Sequence, residues 1–256
     1  MKLQCNKFSI MGRVLPINWH LPFFLFLFFL SFLLRFIYHA QESTICRDGT
    51  IYVTLAEKWL QTGNYPFHYY LPLYPWLMKL LMHCGMSGYA AGVGLNLFLG
   101  SLLPLVCYGI IRQITVRREI TLAGALLVAV HPLAIELSAN VQRDIPYLFF
   151  TGGAFFCGLH AVKCGKWYWW SFCSLFLALG IFSRYETLEL LPLILLYFLL
   201  APLCRVLSWK KASLSFLVWC ISLATFLAGL IGVMNVGEQM SKAYKGRIER
   251  ILYKKY

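Results

Sequence analysis

The stretch Ile45–Tyr74, ICRDGTIYVTLAEKWLQTGNYPFHYYLPLY, is the polar exception in an otherwise apolar chain. It carries Asp48, one of two aspartates in the sequence, and a Pro72-Leu-Tyr-Pro75 turn. A loop of this length between apolar helices is usually functional or disordered, and its regular apolar spacing argues against disorder. Ile51, Tyr52, Leu55, Ala56, Trp59 and Leu60 recur at helical spacing, with Glu57, Lys58 and Gln61 on the other side. That pattern predicts an amphipathic helix of about four turns, too short to span a bilayer and suited to its surface. Gly63 is available as its C-terminal cap. A second short apolar helix is expected from Leu73 to His83, closed by Gly85.

Outward from this loop, composition sets the class. The chain has 256 residues, 60% hydrophobic and 13% charged, with a mean hydropathy of +0.67. That excludes a soluble globular domain. Several apolar runs reach the roughly 20 residues that cross a bilayer as helix. None shows the alternation of a barrel strand. The fold class is therefore an all-α polytopic membrane protein. About seven spans are expected, near 16–38, 89–111, 119–139, 145–162, 167–183, 187–203 and 213–235, with two surface helices in the first outer loop. The net charge of +13 sits largely in short loops, where it sets topology and meets lipid headgroups rather than nucleic acid. The nine cysteines show no metal-ligand spacing. Cys46 and Cys84 could both face an oxidising side and pair.

The organisation that follows is a cytoplasmic N-terminus (1–15), a membrane module (16–236, with its outer loop at 39–88) and a basic tail (237–256). Lys2, Lys7 and Arg13 precede the first run, which lacks a small-residue cleavage site and reads as an uncleaved span. Arg112, Arg117 and Arg118, then Lys163 and Lys166, then Arg205, Lys210 and Lys211 fall in alternate loops, as the positive-inside rule asks. This places the loops at 39–88, Arg143-Asp144 and Arg184-Tyr-Glu186 on the outer face. The tail runs against the rule locally. Either the count is off by one span or the tail opens an outer segment.

Asp48 stands where a helix N-cap is expected, and Asp144-Ile-Pro146 is itself a good helix start. Both aspartates nevertheless fall on one face, where two carboxylates can divide the work of general base and of metal or substrate ligand. Arg143 and Arg184 share that face, and a guanidinium suits a phosphate. Glu186 is placed to pair with Arg184. His131, before Pro132, reads as a packing histidine. His68 points to nothing specific, and Trp167, Trp169 and Trp170 read as an interfacial aromatic belt.

Four elements in order carry a family resemblance. They are Arg47-Asp48-Gly49 leading into Tyr52 and Leu55-Ala56; Pro72-Leu-Tyr-Pro75; His131-Pro132 followed by Leu137-Ser-Ala139 and Arg143-Asp-Ile-Pro-Tyr-Leu-Phe-Phe150; and Arg184-Tyr-Glu186. Together they resemble membrane glycosyltransferases of the GT-C type, in the branch of protein O-mannosyltransferases and aminoarabinose transferases. The resemblance covers about residues 15 to 235. It implies a polyprenyl-phosphate-sugar donor, a lipid, glycan or protein acceptor, and a site on the outer or luminal face. The membrane would be the plasma membrane, or that of the endoplasmic reticulum in a eukaryote. By the same resemblance Asp48 matches the catalytic carboxylate. Asp144, with Asp48, matches a position that in some members holds a divalent metal (Mg or Mn). Arg143, Arg184 and Glu186 are expected to bind substrate phosphate.

The sequence departs from the family at Tyr185, where proline is usual, and at Phe67-His-Tyr-Tyr-Leu71, which lacks the Glu-Lys pair of lipid A modifiers. Family members usually continue further, so a truncated, compact or split enzyme, or an inactive fragment, is an alternative reading. A small transporter or flippase-like protein is the other, although no acidic residue falls at a span centre.

Overall fold

The computed structural model describes residues 20–41, 45–66, 70–204 and 206–238. The expectations for residues 1–15, His68, Arg205 and the tail from residue 239 onward lie outside these. Ten α-helices and one 3-10 turn make up the described chain: α1 His20–Gln41, α2 Arg47–Thr62, α3 Leu73–His83, α4 Gly88–Ile114, α5 Arg118–Val130, α6 Pro132–Ala139, α7 Asp144–Cys164, α8 Tyr168–Ser183, the turn Tyr185–Glu189, α9 Leu190–Leu203 and α10 Trp209–Met234. Five segments are long and apolar enough to cross a membrane: α1, α4, α7, α10 and the turn with α9. The pair α5–α6, bent by 47°, supplies a sixth. The span expected at 167–183 is α8, with 16 residues. At about 1.5 Å per residue it falls short of the roughly 30 Å hydrocarbon core. It packs against α7 and α10 and buries Trp170, Cys173, Leu177 and Phe182.

α4 packs against α1, α5, α6 and α7, and α7 packs in turn against α8. Gln113 Nε2 on α4 meets His160 Nδ1 on α7 at 2.8 Å, and the His160 ring lies 4.4 Å from Trp169 on α8. These contacts join one end of the bundle, the end that holds the basic loops. The loops with Asp48, Asp144 and Arg184 gather at the other.

The break between α5 and α6 follows from His131-Pro132. Proline disfavours a helical residue before it, and His131 is extended (φ −65°, ψ 120°). Its ring caps α6, with Nδ1 accepting from the Ala134 N–H at 3.4 Å. It is exposed, so the packing role expected for it is corrected to a capping one. The carbonyl of Ala129, orphaned at the end of α5, finds its donor across the bundle in Arg35 Nη1 at 3.1 Å. Arg35 is fully buried in α1. It also donates to Ser31 and, through Nε, to Ser138 Oγ at 3.1 Å. Gly100 on α4 leaves the space for this meeting, since a Cβ there would collide with Ser138.

The surface helix α2 begins and ends close to expectation. Gly63, at φ 72°, returns its N–H to Trp59 O at 3.0 Å. Its apolar face, with Tyr52, Leu55, Ala56 and Trp59 buried, packs on α3 and α4. The apolar stripe read from the spacing is thus covered by protein. Trp170, placed in the aromatic belt by sequence, is instead core, with its ring 4.6 Å from Phe198. Cys46 and Cys84 are free thiols.

Candidate active site

Three elements bring the candidate residues to one end of the bundle. The first is the start of α2. Its N-cap is Cys46, whose Sγ accepts from the Gly49 N–H at 3.3 Å. The capping role expected of Asp48 is thus corrected: the helix starts at Arg47, so Asp48 lies in the first turn with its carboxylate directed outward and exposed. The helix dipole favours a negative charge there. Asp48 Oδ1 accepts a hydrogen bond from the Tyr70 hydroxyl at 3.1 Å.

The second element is the link 140–143 ahead of α7. Asn96, buried on α4, donates through Nδ2 to Asn140 O at 2.6 Å and Gln142 O at 2.7 Å. Val141 is buried between α2 and α4, where Gly49 and Gly92 allow close approach. A Cβ on Gly92 would come within 2.7 Å of the Val141 side chain. This clamp sets the positions of Arg143 and Asp144. The Arg143 guanidinium lies over the Tyr70 ring at 5.4 Å, a cation–π contact that ties the second element to the first.

The third element is the turn after α8. Thr187 is buried and its hydroxyl meets Thr151 Oγ1 on α7 at 3.0 Å. Gly180 admits it, since a Cβ there would stand 2.7 Å from the Thr187 methyl. Arg184 consequently points back to the start of α7. Its Nη1 pairs with Asp144 Oδ1, and its Nη2 donates to Glu186 Oε1 at 2.7 Å. The guanidinium also lies 5.3 Å from the Tyr147 ring. The Glu186 hydrogen bond, with the charge of Asp144, holds Arg184 above its ordinary pKa, so it stays cationic. Its Nε–H is buried without a partner among the described residues. The side chains of Asp144 and Arg184 are 29% and 27% exposed, so the pair is only partly screened.

The five residues singled out in the sequence form two groups, joined where Arg143 precedes Asp144. Asp48 and Arg143 share Tyr70, and Asp144 and Glu186 share Arg184. Tyr70 was missed, although the Tyr69-Tyr70 pair just ahead of Pro72 was a visible aromatic signal. A metal fits this donor set poorly. Asp144 is engaged by a guanidinium, Asp48 by a phenol, and among the described residues no three His, Cys, Asp or Glu side chains converge. What these residues offer chemically is the exposed Asp48 carboxylate, linked through Tyr70 to the Arg143 guanidinium, and a second guanidinium, Arg184, fixed by two carboxylates.

The comparisons place this geometry in a family. Residues 66–231, well over half of the chain, match the family model of dolichyl-phosphate-mannose-protein mannosyltransferases. The match includes Arg143, Asp144, Arg184 and Glu186, and Asp48 precedes it. No curated protein gives a significant match to the chain. The chain belongs to the dolichyl-phosphate-mannose-protein mannosyltransferase family, and is a multi-pass membrane glycosyltransferase of the GT-C type.

Proposed function

We propose that this protein transfers a sugar, mannose by the family's description, from a polyprenyl phosphate to a hydroxyl of a lipid, glycan or protein acceptor. The site faces the outer or luminal side of the membrane. That orientation is supported by the basic loops gathered at the opposite end of the bundle. Asp48 takes the proton of the acceptor hydroxyl as its oxygen attacks the anomeric carbon. The bond from that carbon to the phosphate oxygen breaks in the same displacement, inverting the centre. The lipid phosphate leaves with its charge met by the guanidinium groups of Arg143 and Arg184. Asp144 and Glu186 hold Arg184 in register for that contact, so Asp144 acts as a positioning residue in this reading.

The observation that carries this reading is the Asp144–Arg184–Glu186 cluster next to Arg143, which fixes a guanidinium at the end of the bundle opposite the basic loops. The experiment is transfer from a radiolabelled polyprenyl-phosphate sugar by the protein in nanodiscs. Loss of a general base removes on the order of 10²- to 10⁴-fold, and Asp48→Asn is expected to fall in that range. Unchanged transfer by this variant would show that the base lies elsewhere.

A further inference from the structure

At the end of the bundle that carries the basic loops, a thiol, an imidazole and a side-chain amide stand in a row. Cys164 is the last residue of α7, and its Sγ lies 3.2 Å from His160 Nε2. The other ring nitrogen, Nδ1, is 2.8 Å from the Gln113 amide on α4. Phe156 stacks on the ring at 5.9 Å and Trp169 meets it edge-on at 4.4 Å, so the imidazole is fixed in place. The sugar-transfer site at the opposite end uses none of these groups.

These are the parts of an activated sulfur nucleophile: the thiol, a base within hydrogen-bond reach, and a third group that orients the base. With the Gln113 amide turned so that its oxygen accepts from Nδ1–H, Nε2 is left to take the Sγ proton. Cys84, Cys164 and Cys204 are exposed free thiols. Among the described residues, Cys164 alone of these has an imidazole at hydrogen-bond distance. Cys204 follows α9 in the loop ahead of Lys210 and Lys211, at the same end of the bundle but without a base. The surroundings of Cys164 point to the electrophile. Lys163 and Lys166 flank the thiol, are exposed, and suit phosphate groups. Val162, Trp167 and Tyr168 expose apolar surface at the same corner, where one span ends and α8 begins. A long aliphatic chain attached there passes into the bilayer. A reagent that combines phosphates, an activated acyl carbon and such a chain is a long-chain acyl-coenzyme A.

We propose that Cys164 is a self-acylating thiol that takes a long-chain acyl group from a coenzyme A thioester. Sγ attacks the acyl carbonyl carbon while His160 Nε2 takes its proton. A sulfur–carbon bond forms to Cys164, the bond from that carbon to the coenzyme A sulfur breaks, and the departing sulfur leaves as a thiol with the proton from His160. The product is a thioester that ties the α7–α8 corner to the membrane. The full chain in nanodiscs is incubated with palmitoyl-coenzyme A at neutral pH. Acylation of each cysteine is followed by mass spectrometry, with hydroxylamine to cleave thioesters. An unassisted thiol is ionised to only a few per cent at neutral pH, so Cys164 should react about tenfold or more faster than Cys204. His160→Gln should bring Cys164 down to the Cys204 rate. Cys157 and Cys173, buried in the wild type, should stay unmodified and so report an intact fold. If they react in that variant, Gln113→Ala, which keeps the imidazole but frees its ring, takes its place and should slow Cys164 by about threefold or more. Replacing Lys163 and Lys166 together by glutamine should slow palmitoyl-coenzyme A by about 2- to 30-fold and leave N-ethylmaleimide, which carries no phosphate, unaffected. Equal rates at Cys164 and Cys204 overturn the inference, as does a Cys164 rate that the His160 or Gln113 variant leaves unchanged. A Cys164 that reacts with the maleimide but not with palmitoyl-coenzyme A also overturns it, and so does a palmitoyl-coenzyme A rate indifferent to both lysines. The readout needs no sugar transfer, so its failure leaves the transfer reading standing.

Discussion

Asp144 can serve the reaction in two ways, and a double-mutant cycle with Arg184 separates them. If its task is to hold Arg184, replacing it by asparagine keeps the shape and removes the charge. A hydrogen bond between charged groups is worth about 1.5–3 kcal/mol. The pair is roughly a quarter exposed, so solvent screening reduces this to about 1–2 kcal/mol. At 1.36 kcal/mol per factor of ten, Asp144→Asn should lower kcat/KM by about 5- to 30-fold. Arg184→Gln removes the phosphate donor itself and should cost about 10- to 150-fold. With Arg184 gone, Asp144 has nothing left to position, so the double variant should match Arg184→Gln alone. The assay is transfer from labelled polyprenyl-phosphate mannose at subsaturating donor. Losses that multiply, to about 10³ in the double variant, would refute the positioning role. A chelator arm completes the test. Because a guanidinium occupies Asp144, transfer should survive EDTA. Abolition by EDTA with recovery on added Mn²⁺ or Mg²⁺ would show that Asp144 releases Arg184 to take a cation.

Two further outcomes test how the bundle sets up the site. Asn96→Ala removes the two donors to Asn140 O and Gln142 O. It should lower stability by about 1–3 kcal/mol and reduce transfer as well, since Arg143 and Asp144 follow directly; full activity at reduced stability would show that the link holds its place without Asn96. Arg35→Met removes a buried cation but leaves the Ala129 carbonyl without a donor. About 1–3 kcal/mol of destabilisation is expected, read as a fall of several degrees in the unfolding midpoint; an equal or higher midpoint would mean that the buried charge is merely tolerated.

Sequence made the architecture legible where a single physical signal dominated. Apolar length marked the long helices. The 3.6-residue spacing with Gly63 marked α2 to within a residue or two, and Leu73–His83 is α3 as expected. It misled where two signals coincided at one residue. Asp48 is both a good capping residue and a good base, and a two-residue shift of the helix start gave the cap to Cys46, a residue type outside the usual capping set. Similarly, Trp170 carries the same aromatic signature as a belt residue, and only the packing of α8 between α7 and α10 makes it core. The pairing of Arg184 with Glu186 was readable from local spacing. Its pairing with Asp144, 40 residues away, was not readable: the alternating loops put both on one face, and only the folded chain makes them partners.

Arg35 shows where sequence reading has least purchase. Arg35 lies inside the expected span 16–38, and nothing in its local sequence names its partners. In the folded chain it is buried, and its partners lie on elements separated from it by about a hundred residues. The link is the His131-Pro132 break: a broken helix within the hydrocarbon needs a donor for its freed carbonyl, and a cation opposite the C-terminal end of α5 is the favourable sign for that dipole. The same break makes α6 a separate short segment leading into the link held by Asn96. Arg35, Gly100 and Ser138 therefore lie on a continuous structural path to Arg143 and Asp144, through α6 and residues 140–142. The polar interior of the membrane module, remote from the reacting atoms, is in this sense part of how the surface site is aimed.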